Sequence, residues 1–180
     1  MTVFDRFSAE EMAILKQRAE RVARAAREDD RGAIVSALTI QLHEEKYALP
    51  VEDLTAVYYE GDVVPVPWTP PYVSGIANIR GRIIPVLNLG VLLEVPDQVD
   101  TERGPLIVAS SDESTLAFRV SAVGDVLNFV GHEIEPVPLN MESKQVSYYQ
   151  GVLRDGTVVL NIRAILNDPA LIVADGVSID

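Results

Sequence analysis

Nucleophilic catalysis needs a serine, threonine or cysteine beside a positioned base, most often histidine. This chain has two histidines, His43 and His132, and no cysteine. His43 precedes Glu44-Glu45-Lys46 and reads as a solvated residue at a strand end, while His132 follows Gly131 in a loop. The stretches "HEE" and "HEIE" lack the spacing of a metal-ligand set. Gly75 and Gly81 are six apart among strand-like segments, with no Lys-Ser/Thr behind them, so they do not make a phosphate-cradling loop. The carboxylates are numerous but scattered. A catalytic pair forms in space rather than in sequence, so a hydrolase built on two of them is the enzymatic alternative. Its sign would be a pH-dependent activity lost on a single Asp or Glu substitution. No pattern points to a cofactor or metal, and the chain reads as a non-enzyme.

Two cations stand out instead. Arg80 and Arg82 flank Gly81 inside "YVSGIANIRGRIIPVLNLG", residues 72–90. The formal net charge is −12. Residues 1–31 hold seven Lys/Arg against seven Asp/Glu, so the body, 32–180, holds eight against twenty and carries all of the −12. On such a body a guanidinium is a specific contact point, because it forks onto carboxylates and carbonyls. An internal salt bridge is the other reading of Arg80. The glycines beside it indicate tight turns, or a surface that another backbone approaches closely. Acidity of this degree repels phosphate backbones and anionic headgroups, which argues against nucleic acid and membrane insertion, and it favours solubility. Without cysteine there are no disulfides or thiolate metal sites, no apolar run reaches membrane-span length, and the start has no signal-peptide pattern. The expected location is the cytoplasm.

The elements that must position these residues fall into three parts: 1–31, 32–170 and 171–180. In the first, Ser8 and Glu11 form a capping-box pattern, and Met12, Leu15, Ala19, Val22 and Ala26 recur by three and four on one helical face. That helix, over 8–28, either docks on the body or serves a partner or self-association. The body reads as about nine short strands. "AIVSALTIQL" and "EEKYALPV" come first, then "VEDLTAVYY", with a helical turn before its strand. "DVVPVPWTPP" holds Pro65, Pro67, Pro70 and Pro71 and reads as an edge or connector. "RIIPVLNL", "GPLIVASS", "STLAFRVS" and "AVGDVLNFV" follow. "GVLRDGTVVLNI" is a hairpin turning at Asp155-Gly156, and "RAILND" is a short closing helix limited by Pro169. With no room for crossover helices, the body is expected to be antiparallel, as small barrels or a sandwich. The final "ADGVSID" is expected to be an unordered tail.

The central stretch, "PPYVSGIANIRGRIIPVLNLG", resembles the signature of CheW-like coupling proteins, a Gly-x-x-Asn-x-Arg-Gly turn before an apolar strand containing proline. The likeness extends in order through "LTIQLHEEKYALPVEDLTAVYY", "PLIVASSDESTLAFRVSAVGDVLNF" and "YYQGVLRDGTVVLNIRAIL", covering about residues 33–167. The resemblance implies a mainly β fold of two intertwined five-stranded SH3-like barrels with a core between them, here with an added N-terminal helix. It implies a non-enzymatic adaptor in chemotaxis signal transduction. Such proteins link the cytoplasmic tips of methyl-accepting chemoreceptors to the regulatory domain of a CheA-type histidine kinase, in arrays to which the adaptor is recruited.

Carried over by position, Arg80 matches the arginine used toward the receptor, with Ile79 and Gly81 beside it. Leu54 and Val57 match apolar positions of an adjacent strand in the same contact region, and Gly75 matches a glycine implicated in kinase coupling. The chain departs from the family where Ala56, Asn88 and Ser121 stand in place of usual carboxylates. Asn and Ser can still bond locally, so no structural loss is expected. Charge pairs set specificity, however, so partner choice is what these replacements touch. The alternative is a divergent CheW-like module serving a pilus, phototaxis or other chemosensory kinase without receptor arrays.

Overall fold

The computed structural model describes residues 32–95, 103–136 and 146–171. The helix expected over 8–28 lies outside them, as does the tail from residue 172. Within them the chain forms eleven strands. These are β1 (Ile34–Leu42), β2 (Glu45–Pro50), β3 (Leu54–Tyr58), β4 (Val63–Val64), β5 (Val73–Ile79) and β6 (Arg82–Asn88), followed by β7 (Leu106–Ser110), β8 (Thr115–Arg119), β9 (Ala122–Val130), β10 (Tyr149–Val152) and β11 (Val158–Leu160). Two short helices, α1 (Leu89–Leu92) and α2 (Ile162–Leu166), punctuate them. The two strands beyond the expected nine are β4 and β5. Gly75 made β5 hard to read as a strand; a bulge between Val73 and Gly75 lets the ladder with β6 continue past it.

The strands form two sheets, ordered β10-β11-β2-β1-β9 and β3-β7-β8-β6-β5-β4. The first is assembled from both ends of the body, and the second from the continuous middle. Most ladders are antiparallel, but β6 pairs with β8 and β2 with β11 in parallel, which corrects the expectation of a wholly antiparallel body. A parallel pair needs only a long enough return path. Residues 89–114, containing α1 and β7, supply it for β6 and β8, and the whole second sheet separates β2 from β11.

Neither sheet closes into a barrel through a continuous ladder, and the second has six strands rather than five. In the first, β9 breaks into a 3-10 turn, Gly131–Glu133, where the Glu133 carboxylate accepts from the Val130 N–H (2.7 Å). Just beyond, Glu135 makes one isolated bridge to Val152 of β10.

Alternation along each strand distributes side chains between three apolar clusters. Each sheet has a cluster of its own: Ala37, Ala48 and Val159 with Phe129 in the first, and Ala77, Ala117, Val86 and Val108 with the larger Ile84 and Leu106 in the second. Large residues, including Ile40, Leu49, Leu87, Ile107, Phe118, Leu160 and Ile165, fill the layer between the sheets. The runs "PLIVAS" and "TLAFRV" are nearly continuous in apolar residues because both of their faces are buried.

Candidate functional site

The opening motif is a hairpin. β5 and β6 pair up to Ile79 opposite Arg82, leaving Arg80-Gly81 as a two-residue turn. Both have positive φ, 52° and 82°, the signature of a type I′ turn, whose twist suits a hairpin. Asn78 Oδ1 accepts from the Gly81 N–H (2.9 Å) and fixes the turn. Glycine tolerates this backbone freely, but an arginine there is strained. Arg80, Gly81 and Arg82 are exposed at the tip, while Ile79 is half-buried against the inner cluster of the second sheet. The result is an exposed arginine at the tip of a fixed turn on an acidic body.

Gly75 is buried, with φ at 140°. A Cβ there would sit 2.2 Å from the carbonyl oxygen of Val64. The backbone that approaches this glycine closely is therefore the chain's own β4. Beyond β4 the proline-rich connector turns outward, and Trp68, at a φ of 65°, stands fully exposed.

Leu54 and Val57 lie on β3, which the 3-10 turn Val51–Asp53 introduces. Arg163 of α2 grips this turn, donating from Nε to Asp53 (2.7 Å) and from Nη2 to Glu52 (3.2 Å). The Asp53 carboxylate, with Glu52 behind it, raises the Arg163 pKa further. β3 pairs with β7 and stands at the opposite end of the sheet order from β4, so it is not adjacent to β5, the strand of Gly75 and Ile79, as the resemblance implied. Leu54 and Val57 are half-buried at the rim of the inter-sheet cluster, as are Leu38 of β1 and Val123 of β9. The six carried-over residues thus occupy three places: the hairpin tip (Ile79, Arg80, Gly81), a buried support under β4 (Gly75) and the inter-sheet rim (Leu54, Val57).

Sequence reasoning missed three features. The Arg163 clamp joins residues more than a hundred positions apart and has no local signal. Trp68 was passed over inside its prolines. The exposed outer face of β1 and β9 needed the strand pairing to become visible.

The departures from the family pattern have local explanations. Asn88 caps α1, its Oδ1 accepting from the Val91 N–H (3.1 Å). Ser121 Oγ accepts from the backbone N–H of His43 (3.2 Å) in the β1–β2 turn. Both side chains keep local bonds, as expected for Asn and Ser. Ala56 packs against the inner cluster of the second sheet. The histidines sit in the β1–β2 turn and in the turn after β9. Among the described residues no group of three or more His, Cys, Asp or Glu could hold a metal ion. Burial, reinforced by the bonded carboxylates of Glu45 and Asp168, pushes the hydroxyls of Tyr47 and Tyr148 well up, so both remain protonated donors that tie segments together. Among the described residues no helix is long and apolar enough to cross a membrane.

Comparison with known proteins gives a consistent result. The family model of the CheW-like domain matches residues 36–170. The chain is 27% identical over 141 residues to the chemotaxis protein CheW of Treponema pallidum, covering 74% of this chain and 83% of that one. It is 29% identical over 124 residues to CheW of Thermotoga maritima, covering 68% and 80%. Among solved structures, the scaffolding protein TtCheW of Thermoanaerobacter tengcongensis superposes with a TM-score of 0.66 at 22% identity, over 76% of this chain and 95% of that one. With a matched family model over most of its length and the same fold beneath it, this chain belongs to the CheW-like domain family.

Proposed function

We propose that this protein is a cytoplasmic, non-enzymatic adaptor that couples methyl-accepting chemoreceptors to the regulatory domain of a CheA-type histidine kinase and is recruited to their arrays. In this reading each sheet curls as an SH3-like barrel, and the layer between them keeps the two partner surfaces in fixed relation. The observation that carries it is Arg80, an exposed guanidinium held in a strained turn at the tip of a fixed hairpin. Strain of this kind persists only where the surroundings impose it, and it collects at functional sites. Ile79 and Gly81 set the shape around it. Leu54 and Val57 line the inter-sheet rim, where an amphipathic helical tip would lay its apolar residues, with Arg80 fixing its register. Gly75 serves the kinase side indirectly, by letting β4 and its connector lie close against β5.

Affinity capture of tagged protein from its native cells, beside an Arg80→Ala control, tests the reading. Recovery of a histidine kinase together with receptors, the receptors reduced in the control, is expected. Recovery of neither partner would overturn it. Ala56, Asn88 and Ser121 favour a second reading, because neutral side chains there alter the charge pairs that choose partners. In it the adaptor serves a pilus or phototaxis kinase without receptor arrays, and capture then yields the kinase alone.

A further inference from the structure

The outer face of the β1–β9 pair is apolar and exposed where it leaves the inter-sheet layer. On β1, Leu38, Ile40 and Leu42 share one face and pack against the inter-sheet cluster. Ile34 and Ser36 continue that face outward, and Ile34 is 72% exposed. Across the ladder, Val130 lies opposite Ile34 and Val126 opposite Leu38, and Val126 is 55% exposed. Ser36 Oγ donates to Asn128 Oδ1 (2.6 Å) at the middle of the strip. The strip from Ile34 to Leu38 is about 13 Å long at strand rise, and it runs into the rim that carries Leu38.

We infer that residues 8–28 of this same chain cover this face as an amphipathic helix. The segment enters the fold at the strip itself, since only residues 29–33 separate it from Ile34. Five residues reach up to about 17 Å, enough to reverse direction. A helix of this length spans about 31 Å, so it covers the strip and extends toward the rim. Its stripe of Met12, Leu15, Ala19, Val22 and Ala26 supplies the matching apolar face, and its small alanines allow close approach to a sheet. Over residues 8–28 the charges nearly balance, five Lys/Arg against Glu10, Glu11, Glu20 and Glu28, so the apolar stripe and the short connection carry the match.

The absence of cysteine allows a direct test on the full chain. The pair Val22→Cys/Val126→Cys is oxidised under mild conditions beside Val22→Cys/Arg154→Cys, whose second site lies at the exposed β10–β11 turn, across the sheet from β9. Both pairs share the millimolar effective concentration of a short tether, and docking adds to it only for the first. A monomeric disulfide forming at least about tenfold faster in the Val126 pair is expected. Equal rates overturn the inference, and so does a disulfide-linked dimer, which would assign the face to the helix of a second copy. No receptor enters the experiment, so its failure leaves the adaptor reading intact.

Discussion

At the residue scale, two glycines of one motif have different jobs. Gly81 has open space where a Cβ would go, so only its backbone angle matters. Gly75 has no such space. Gly75→Ala forces a Cβ into the Val64 carbonyl in a backbone region unfavourable to alanine. It is expected to cost about 2–3 kcal/mol, read as a lower urea midpoint. An unchanged midpoint would remove the structural explanation of this glycine. Arg80 behaves in the opposite way. Asn-Gly is a preferred type I′ pair, so Arg80→Asn should hold stability level or raise it by up to about 1 kcal/mol, measured by the same denaturation. A residue whose replacement stabilises the fold while impairing binding is kept for binding. The glycine spacing and the isolated arginine were legible in the sequence. That the close approach at Gly75 comes from β4 was not, because it depends on the bulge and on a two-residue strand.

At the element scale, the hairpin at Asp155-Gly156 was the most readable part, whereas the β5–β6 hairpin was missed with β5 itself. Asp155-Gly156 turns β10 into β11 with Gly156 at a φ of 86°. The Thr157 N–H donates to the Asp155 carboxylate (3.0 Å), and with Lys46 nearby this lowers the Asp155 pKa below its ordinary 3.8. A depressed carboxylate stabilises the fold above its ordinary pKa, and that contribution is lost as pH falls through the lower, folded value. Stability is therefore expected to fall as pH drops below 3.8, and Asp155→Asn should flatten this part of the curve. Thermal unfolding from pH 5 to pH 2 checks it, and identical slopes in the two proteins would contradict it. The parallel pairs were not legible. β2 and β11 are joined by pairing between the two ends of the body, and no local pattern encodes such a partner.

At the scale of the whole molecule, each sheet keeps a small cluster of its own, with alanines at its centre, and shares one large core with the other. Phe118 belongs to the shared layer and is fully buried. Phe118→Ala should cost about 3–5 kcal/mol. Ala117, its neighbour in sequence, faces the inside of the second sheet, where Ala117→Leu should cost about 1–3 kcal/mol by overpacking. Chemical denaturation checks both, and a tolerated Ala117→Leu would show that the inner cluster is looser than its alanines suggest. The resemblance gave the family and the separation into two sheets. The closure into two five-stranded barrels that the resemblance implied is not seen as a continuous ladder, and in the first sheet the turn after β9 interrupts it. The clamp of α2 onto the Val51–Asp53 turn and the shared core tie the two sheets together; on the proposed reading, coupling two partners would be a property of this whole platform rather than of any one group.

The central claim is that this platform binds a receptor tip through Arg80. The most direct measurement is the affinity of the folded protein for a chemoreceptor cytoplasmic tip, compared with Arg80→Asn at matched stability. The account predicts at least a tenfold loss, about 1.4 kcal/mol, with kinase regulatory-domain binding retained. Equal receptor affinity in the two proteins would contradict it.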